Sequence, residues 1–485
     1  MPAPRGRGSS FFLMGVRIDI PENRYILSMD ITIYNDSIKG VIMDSGAGWR
    51  HMNRFRHKKS FGVPFFWAYF FYYAAYAVFS GNAVLFLTER GFSAAVCGAV
   101  TSAMLVLSLV MQPAGGYITD TFCSTRRYLA GGILLFMVIC CWCTAQRENR
   151  AYTAAGMILG AGIVYPFGQL MDAWVKMSSS VDPELRYSRI RAGGSFGFAV
   201  MSVLAGQWFR RFGWDQYFLM QAAVFLLMLP LLLLLPELKP ANRAGTGGRE
   251  TKETTERTET TERAETTETT ERTERAEAGK TGDAGRLSAG ESVRLLLGNR
   301  SFLYWFLVCT VYWFSHRPIG SFLSLLVRER GGDAGTYGNV CGAGAVFEFL
   351  CLLLMSRGGI LKKPGMLMPA ALLTDLLRPL CFLAFPGLMP VYAGQVLQSL
   401  SFALYYTASV EGFLHTSDPR IRSFSISTGL SLSSALGTAG ANLSGGRLCD
   451  LYGPGILPEI CFAAAAANLL LYHTIKKNKN GLVIR

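Results

Sequence analysis

Five charged side chains, Asp172, Arg191, Arg317, Glu348 and Arg378, sit inside long stretches that are otherwise apolar. A helix that crosses a membrane needs roughly 20 apolar residues. A charge near the bilayer centre costs about 2.5–3.5 kcal/mol on the insertion scale, so such charges persist where they are paired or put to use. Their types suit binding and proton exchange. A guanidinium holds a carboxylate through two parallel N–H donors, and a desolvated carboxylate can take a proton. His316 and Arg317 lie together beside Tyr312, Trp313, Phe314 and Pro318, a combination expected on a cavity wall and at a kink; histidine is the side chain that titrates closest to neutral pH. Catalysis is not expected, because no exposed nucleophile with a base is visible. The five histidines are scattered, so no metal or other cofactor is expected either.

These charges must be positioned by helices. Six apolar segments are expected near 63–88, 92–118, 128–146, 151–176, 190–209 and 215–235, and six more near 301–327, 337–357, 365–386, 389–413, 423–445 and 455–475. Between the two sets, residues 236–300 read as a linker. Its Glu250–Glu277 stretch repeats Thr-Thr-Glu-Arg with no apolar residue larger than alanine, so it cannot bury enough apolar area to offset ordering entropy. Residues 1–62 read as a polar, basic extension; Met52 looks like a natural start, and the residues before it are either a translated upstream region or a disordered extension. A short basic tail, 476–485, follows the last segment. Six plus six segments around a polar middle are expected to form an all-α membrane protein of twelve transmembrane helices in two halves. Loop lysines and arginines are richer after segments 2, 4, 8 and 10, as in Arg126, Arg127, Arg357, Lys362 and Lys363. That asymmetry places both termini in the cytoplasm.

Composition agrees. The 485 residues are 51% hydrophobic and only 16% charged, with a mean hydropathy of +0.28, against about 25% charged in soluble domains. The net charge of +14 lies mainly in the N-terminal segment, short loops and tail. No separate basic domain exists to hold nucleic acid. Most of the eleven cysteines lie in apolar stretches, Cys140 and Cys143 among them, and behave there as small hydrophobes.

Gly116, followed after three residues by Asp120 and then by Arg126-Arg127, resembles the loop motif of the major facilitator superfamily. The glycine would allow close helix approach and the aspartate would latch the halves. Asp172 and Trp174 late in segment 4, with Arg191 and Phe198 early in segment 5, resemble the lactose permease and phenylpropionate permease branch. There an acid and an arginine on these helices pair and reach the substrate. Glu348 in segment 8 resembles that branch's essential glutamate, and Arg378 in segment 9 its arginine near the proton site. Gln398 stands where the branch has histidine, Ser401 near its coupling glutamate and Ser433 at its helix 11 lysine. Neither glutamine nor serine titrates near neutral pH, so the proton path is not carried over complete.

The resemblance implies the major facilitator fold and a monomeric secondary transporter in the cell (inner) membrane. Its solute would be a small polar organic molecule, an oligosaccharide, nucleoside or aromatic acid, moved by alternating access and coupled to a proton. Asp172, Arg191, Trp174, Phe198, Glu348 and Gln398 are expected at the substrate, Glu348, Arg378 and His316 at the proton, and Gly116, Asp120, Arg126 and Arg127 at the gate. A facilitator of the same fold, or a receptor that binds solute without moving it, is the alternative.

Overall fold

A computed structural model describes residues 61–179, 182, 185–237, 289–356 and 366–477. The N-terminal extension, the Thr/Glu/Arg repeat, the stretch Arg357–Lys363 and the end of the tail lie outside the described residues.

The described residues are helical, with six rods before the linker and six after it. The first rod is α1 (Gly62–Tyr76), a π turn at Ala77–Gly81 and α2 (Ala83–Glu89). Then come α3 (Ala94–Thr121), α4 (Thr125–Ala145), α5 (Arg150–Ser179), α6 (Tyr187–Phe212) and α7 (Tyr217–Leu234). The region read from sequence as linker ends in a short helix, α8 (Ala289–Gly298), bent by 80° from the first rod of the second half. That rod is α9 (Arg300–Ser321) with α10 (Leu323–Glu329), and α11 (Ala334–Ser356), α12 (Leu367–Ala384), α13 (Met389–Thr416), α14 (Arg422–Tyr452) and α15 (Ile456–Lys477) follow. Among the described residues, six helices are long and apolar enough to cross a membrane, or eight if each bent pair counts as one span.

The halves repeat one another. Both first rods break into a seven-residue terminal helix ending in Glu-Arg-Gly, at Glu89-Arg90-Gly91 and Glu329-Arg330-Gly331. Gly91 and Gly331 take φ of 76° and 82°, a region that glycine enters without Cβ strain. We call this the loop end of the bundle, opposite the linker end.

The contacts between halves obey the same symmetry. At the loop end, Asp450 at the end of α14 accepts from the first amides of α3, Ala94 N at 2.7 Å and Ala95 N at 2.9 Å, where the helix dipole favours an anion. Its counterpart is Arg210 at the end of α6, 3.6 Å from Asp333 at the start of α11. The Thr336 amide, with its hydroxyl and Arg210, holds the Asp333 carboxyl below the usual carboxylate range. Arg328 pairs with Glu89 at 2.8 Å, and the Tyr337 hydroxyl donates to the Gly81 carbonyl. Glycines let these helices touch. A Cβ on Gly98 would lie 2.1 Å from the Asn442 carbonyl oxygen, one on Gly446 2.4 Å from that of Ala94, and one on Gly206 2.6 Å from that of Ala334.

Glycine also sets packing within a half. A Cβ on Gly412 would lie 1.9 Å from Cε2 of Trp305, whose buried indole N–H donates to the Ser409 carbonyl. A rigid ring cannot swing aside, so Gly412→Ala is expected to cost about 1–3 kcal/mol, as overpacking does. A thermal-unfolding midpoint several degrees below wild type checks this, and an unchanged midpoint would show that the ring yields freely.

Candidate functional site

A cavity of about 400 Å³ lies between the halves. From the first half, Tyr73 and Tyr76 of α1, Arg191, Ser195 and Phe198 of α6, and Tyr165 of α5 line it. From the second half come Arg317 of α9, Glu348 of α11, Gln395, Gln398 and Ser399 of α13, and Asn442 of α14. Gly81, Val84, Leu323 and Tyr337 also line it, close to where the Tyr337 hydroxyl joins the halves at Gly81.

Two guanidinium groups enter this cavity from opposite halves. Arg191 stands 4.3 Å above the ring of Tyr73, and Arg317 stands 5.2 Å from the ring of Trp313. These aromatic faces stabilise the cations by about 0.5–2 kcal/mol while leaving the N–H forks unused. Neither arginine forms a hydrogen bond or ion pair with a protein group among the described residues. Glu348 is the carboxylate that shares their wall, and it too has no hydrogen-bonded partner among them. Two further polar atoms, Nε2 of Gln395 and Oδ1 of Asn442, are buried without a partner, which costs about 1–3 kcal/mol each unless water or a ligand meets them.

The expected pair of Asp172 and Arg191 does not form here. The Tyr69 hydroxyl donates to Asp172 Oδ1 at 2.6 Å, so the carboxylate is satisfied by α1 and does not line the cavity. Trp174 is likewise not a substrate contact in this arrangement. It is fully buried, packs edge-on against Phe65 and donates its indole N–H to the Pro236 carbonyl at 3.1 Å. Residues two apart on a helix point about 200° apart, so Asp172 and Trp174 cannot share one wall.

His316 is not on the cavity wall either; its neighbour Arg317 is. His316 lies behind, where its Nδ1 is 2.7 Å from Asp375 Oδ1. The Ser315 hydroxyl, which also lies 2.9 Å from the Tyr312 carbonyl, donates to Asp375 Oδ2 at 2.6 Å. Arg378, one turn after Asp375 on α12, donates to the His316 carbonyl at 2.9 Å and to Gln398 Oε1. Gln398 therefore touches both the cavity and the buried charges. Ser401 bonds Tyr312 at 3.0 Å, and Ser433 caps its own helix turn at Leu430.

The loop motif also differs from expectation. A Cβ on Gly116 would meet nothing within 4 Å, whereas one on Gly115 would lie 2.9 Å from the Tyr128 hydroxyl; the close approach belongs to the preceding residue. Asp120 is exposed and makes no ion pair among the described residues. Arg126 and Arg127 both pair with Glu237, at 2.6 Å and 2.8 Å, just past α7 in their own half. Ser124, Arg126 and Arg127 together hold the Glu237 carboxyl below its ordinary range.

Of the expected substrate residues, the cavity gathers Arg191, Phe198, Glu348 and Gln398. Sequence reasoning passed over Gln395, Ser399 and Asn442, because neutral amides and hydroxyls on a long apolar helix look like helix-internal polar groups. It also left Asp375 without a role, although an aspartate one turn before Arg378 is itself an intramembrane charge.

Among the described residues, twelve helical rods in two related halves surround a polar cavity, an arrangement of the major facilitator type. Residues 65–457 match the MFS_1 like family, and the chain belongs to that family; it is a transporter, not an enzyme. No curated protein matches the sequence significantly. Among solved structures, the chain resembles the nucleoside transporter NupG, with 13% identity and a TM-score of 0.65 over 86% of this chain and 98% of that one. It resembles a POT family transporter in complex with 5-aminolevulinic acid, at 15% identity and a TM-score of 0.57 over 86% and 95%. It also resembles a bacterial homolog of the human lysosomal transporter Spinster in an inward-facing, unoccupied conformation, at 13% identity and a TM-score of 0.55 over 85% and 94%. At these identities the likeness is one of fold.

Proposed function

We propose that this protein carries a small polar organic solute bearing an acidic group, such as an aromatic acid, by proton-coupled alternating access. The observation that carries the reading is a pair of guanidinium forks, Arg191 and Arg317, that reach one cavity from opposite halves with no hydrogen-bonded partner among the described residues. Planar forks match a carboxylate bidentately. An anion gripped by both would draw the halves together around it, which is the event alternating access requires. Tyr73, Tyr76, Tyr165 and Phe198 offer ring faces to the body of the solute, and Glu348, Gln395 and Asn442 offer it acceptors and donors. Glu348 faces both arginines across the cavity, so an occupied site is close to neutral overall. Arg378 and His316 lie just behind the wall, within reach of the bound solute through Gln398. Loop charge supports a cytoplasmic linker end and cytoplasmic termini in a cell membrane, and a cavity lined by both halves of one chain supports a monomer.

A thermal-shift panel on the purified full-length protein tests the substrate class, using 4-hydroxybenzoate, lactose and uridine as probes. A ligand at 100 times its Kd stabilises the folded state by about 2.7 kcal/mol. The expected result is a shift with the acid that is lost in Arg191→Gln. A shift with lactose or uridine and none with the acid would overturn the anion assignment. Proton coupling is tested separately, by uptake into vesicles with and without a pH gradient; indifference to the gradient would make the protein a facilitator.

A further inference from the structure

The membrane interior of the second half holds a group of ionisable side chains that the substrate cavity does not use. Asp375 and Arg378 of α12 and His316 of α9 are each at most 5% exposed. Burying charges of this kind costs several kcal/mol per ion unless they are paired and bonded; here both Asp375 oxygens and both terminal nitrogens of Arg378 are bonded, while Arg378 Nε is buried without a partner among the described residues. Asp375 takes one bond on each oxygen, from His316 and Ser315. Arg378 is held by the His316 carbonyl and by Gln398. With a neutral imidazole the aspartate and arginine cancel. One added proton leaves a net positive charge, and the imidazole, hydrogen-bonded to Asp375, is the group placed to take it. Its other ring nitrogen, Nε2, has no hydrogen-bond partner among the described residues and is the remaining place for a proton to arrive or leave.

The surroundings are specific to this site. On its own helix His316 has Arg317, which faces the cavity, and Tyr312, stacked on the imidazole at 5.1 Å. From α12 come Asp375 and Arg378, and from α13 Tyr405, stacked on Tyr312 at 3.7 Å. From α15 comes the thiol of Cys461, beside Arg378. α14 meets α9 through Gly437 and Gly440. One covalent step along the chain separates His316 from the cavity arginine, and Gln398 links Arg378 to the cavity itself.

We propose that the His316–Asp375 pair is the proton-binding site of this transporter, and that its proton occupancy, relayed through Arg378 to Gln398 and through the chain to Arg317, biases how the two halves close. Glu348 then serves the solute rather than the proton. The inference deepens the transport reading and rests on it for the meaning of the bias, but the binding of the proton can be measured without any solute.

The test uses the full-length protein in lipid nanodiscs with isotope-labelled histidine. Replacing the other four histidines by glutamine leaves His316 as the sole imidazole signal, with its own contacts untouched. The expected result is a titration of His316 between about pH 5 and pH 9 whose midpoint moves by about one pH unit or more in Asp375→Asn. A His316 signal that stays in one state over that range, or an identical titration in Asp375→Asn, would overturn the assignment. Spin labels at Glu148→Cys and Tyr452→Cys, in a chain whose own accessible cysteines are serine, report the separation of the halves at the loop end. That separation is expected to depend on pH in wild type and in Glu348→Gln and to become pH-independent in His316→Gln and Asp375→Asn. Loss of the dependence in Glu348→Gln with its retention in Asp375→Asn would move the proton to the cavity glutamate. If the probe panel shows no anion binding while His316 titrates as expected, the substrate reading fails and the proton site stands.

Discussion

Replacing Arg317 with glutamine is expected to weaken binding of 4-hydroxybenzoate by about 10- to 150-fold. A hydrogen bond to a charged group contributes about 1.5–3 kcal/mol, and each 1.4 kcal/mol is a factor of ten in Kd. Arg317 is exposed to the cavity, lies beside the Trp313 ring and forms no hydrogen bond or ion pair among the described residues, so its loss is expected to leave folding nearly unchanged. Arg191, half-buried over Tyr73, likewise forms no hydrogen bond or ion pair among the described residues. Arg317→Lys keeps the charge but not the fork and is expected to fall between wild type and glutamine. The half-saturating acid concentration in the thermal-shift assay measures all three. Equal values in wild type and both glutamine variants would remove the arginines from the site.

The second large effect is mechanical. Gly98→Leu should hold the halves apart at the loop end. Its Cβ would sit 2.1 Å from the backbone oxygen of Asn442, and a backbone atom inside a long helix cannot step aside alone. Overpacking of about 1–3 kcal/mol converts to a shift of about 5- to 150-fold away from the closed arrangement. Gly116→Leu is the matched control, since its Cβ meets nothing within 4 Å. The spin-label separation between Glu148→Cys and Tyr452→Cys reads both variants. A longer separation in Gly98→Leu and a wild-type one in Gly116→Leu is the expected pattern; the reverse would return the close approach to the loop motif.

What the sequence by itself determined was the set of rods, their division into two halves, and which charges had to matter. Those follow from one-dimensional rules. An apolar run long enough to span lipid must be helical, because only a helix satisfies its own backbone there, and a charge inside such a run is too costly to be idle. Thus Asp172, Arg191, Arg317, Glu348 and Arg378 stood out as candidates before any contact was known. Partnership was not legible. Neighbouring helices fix the depth of a residue in the membrane, but the direction it points turns by about 100° with each residue. One such step separates Gly115, which touches Tyr128, from Gly116, which touches nothing. One step also separates Arg317 on the cavity wall from His316 behind it. Two steps separate Asp172 from the buried Trp174. Only the tertiary structure could hand Asp172 to Tyr69 and join His316 to Asp375 across 59 residues of chain, because those choices depend on how each helix is rotated against its neighbours, and that rotation is set by packing summed over whole helix faces.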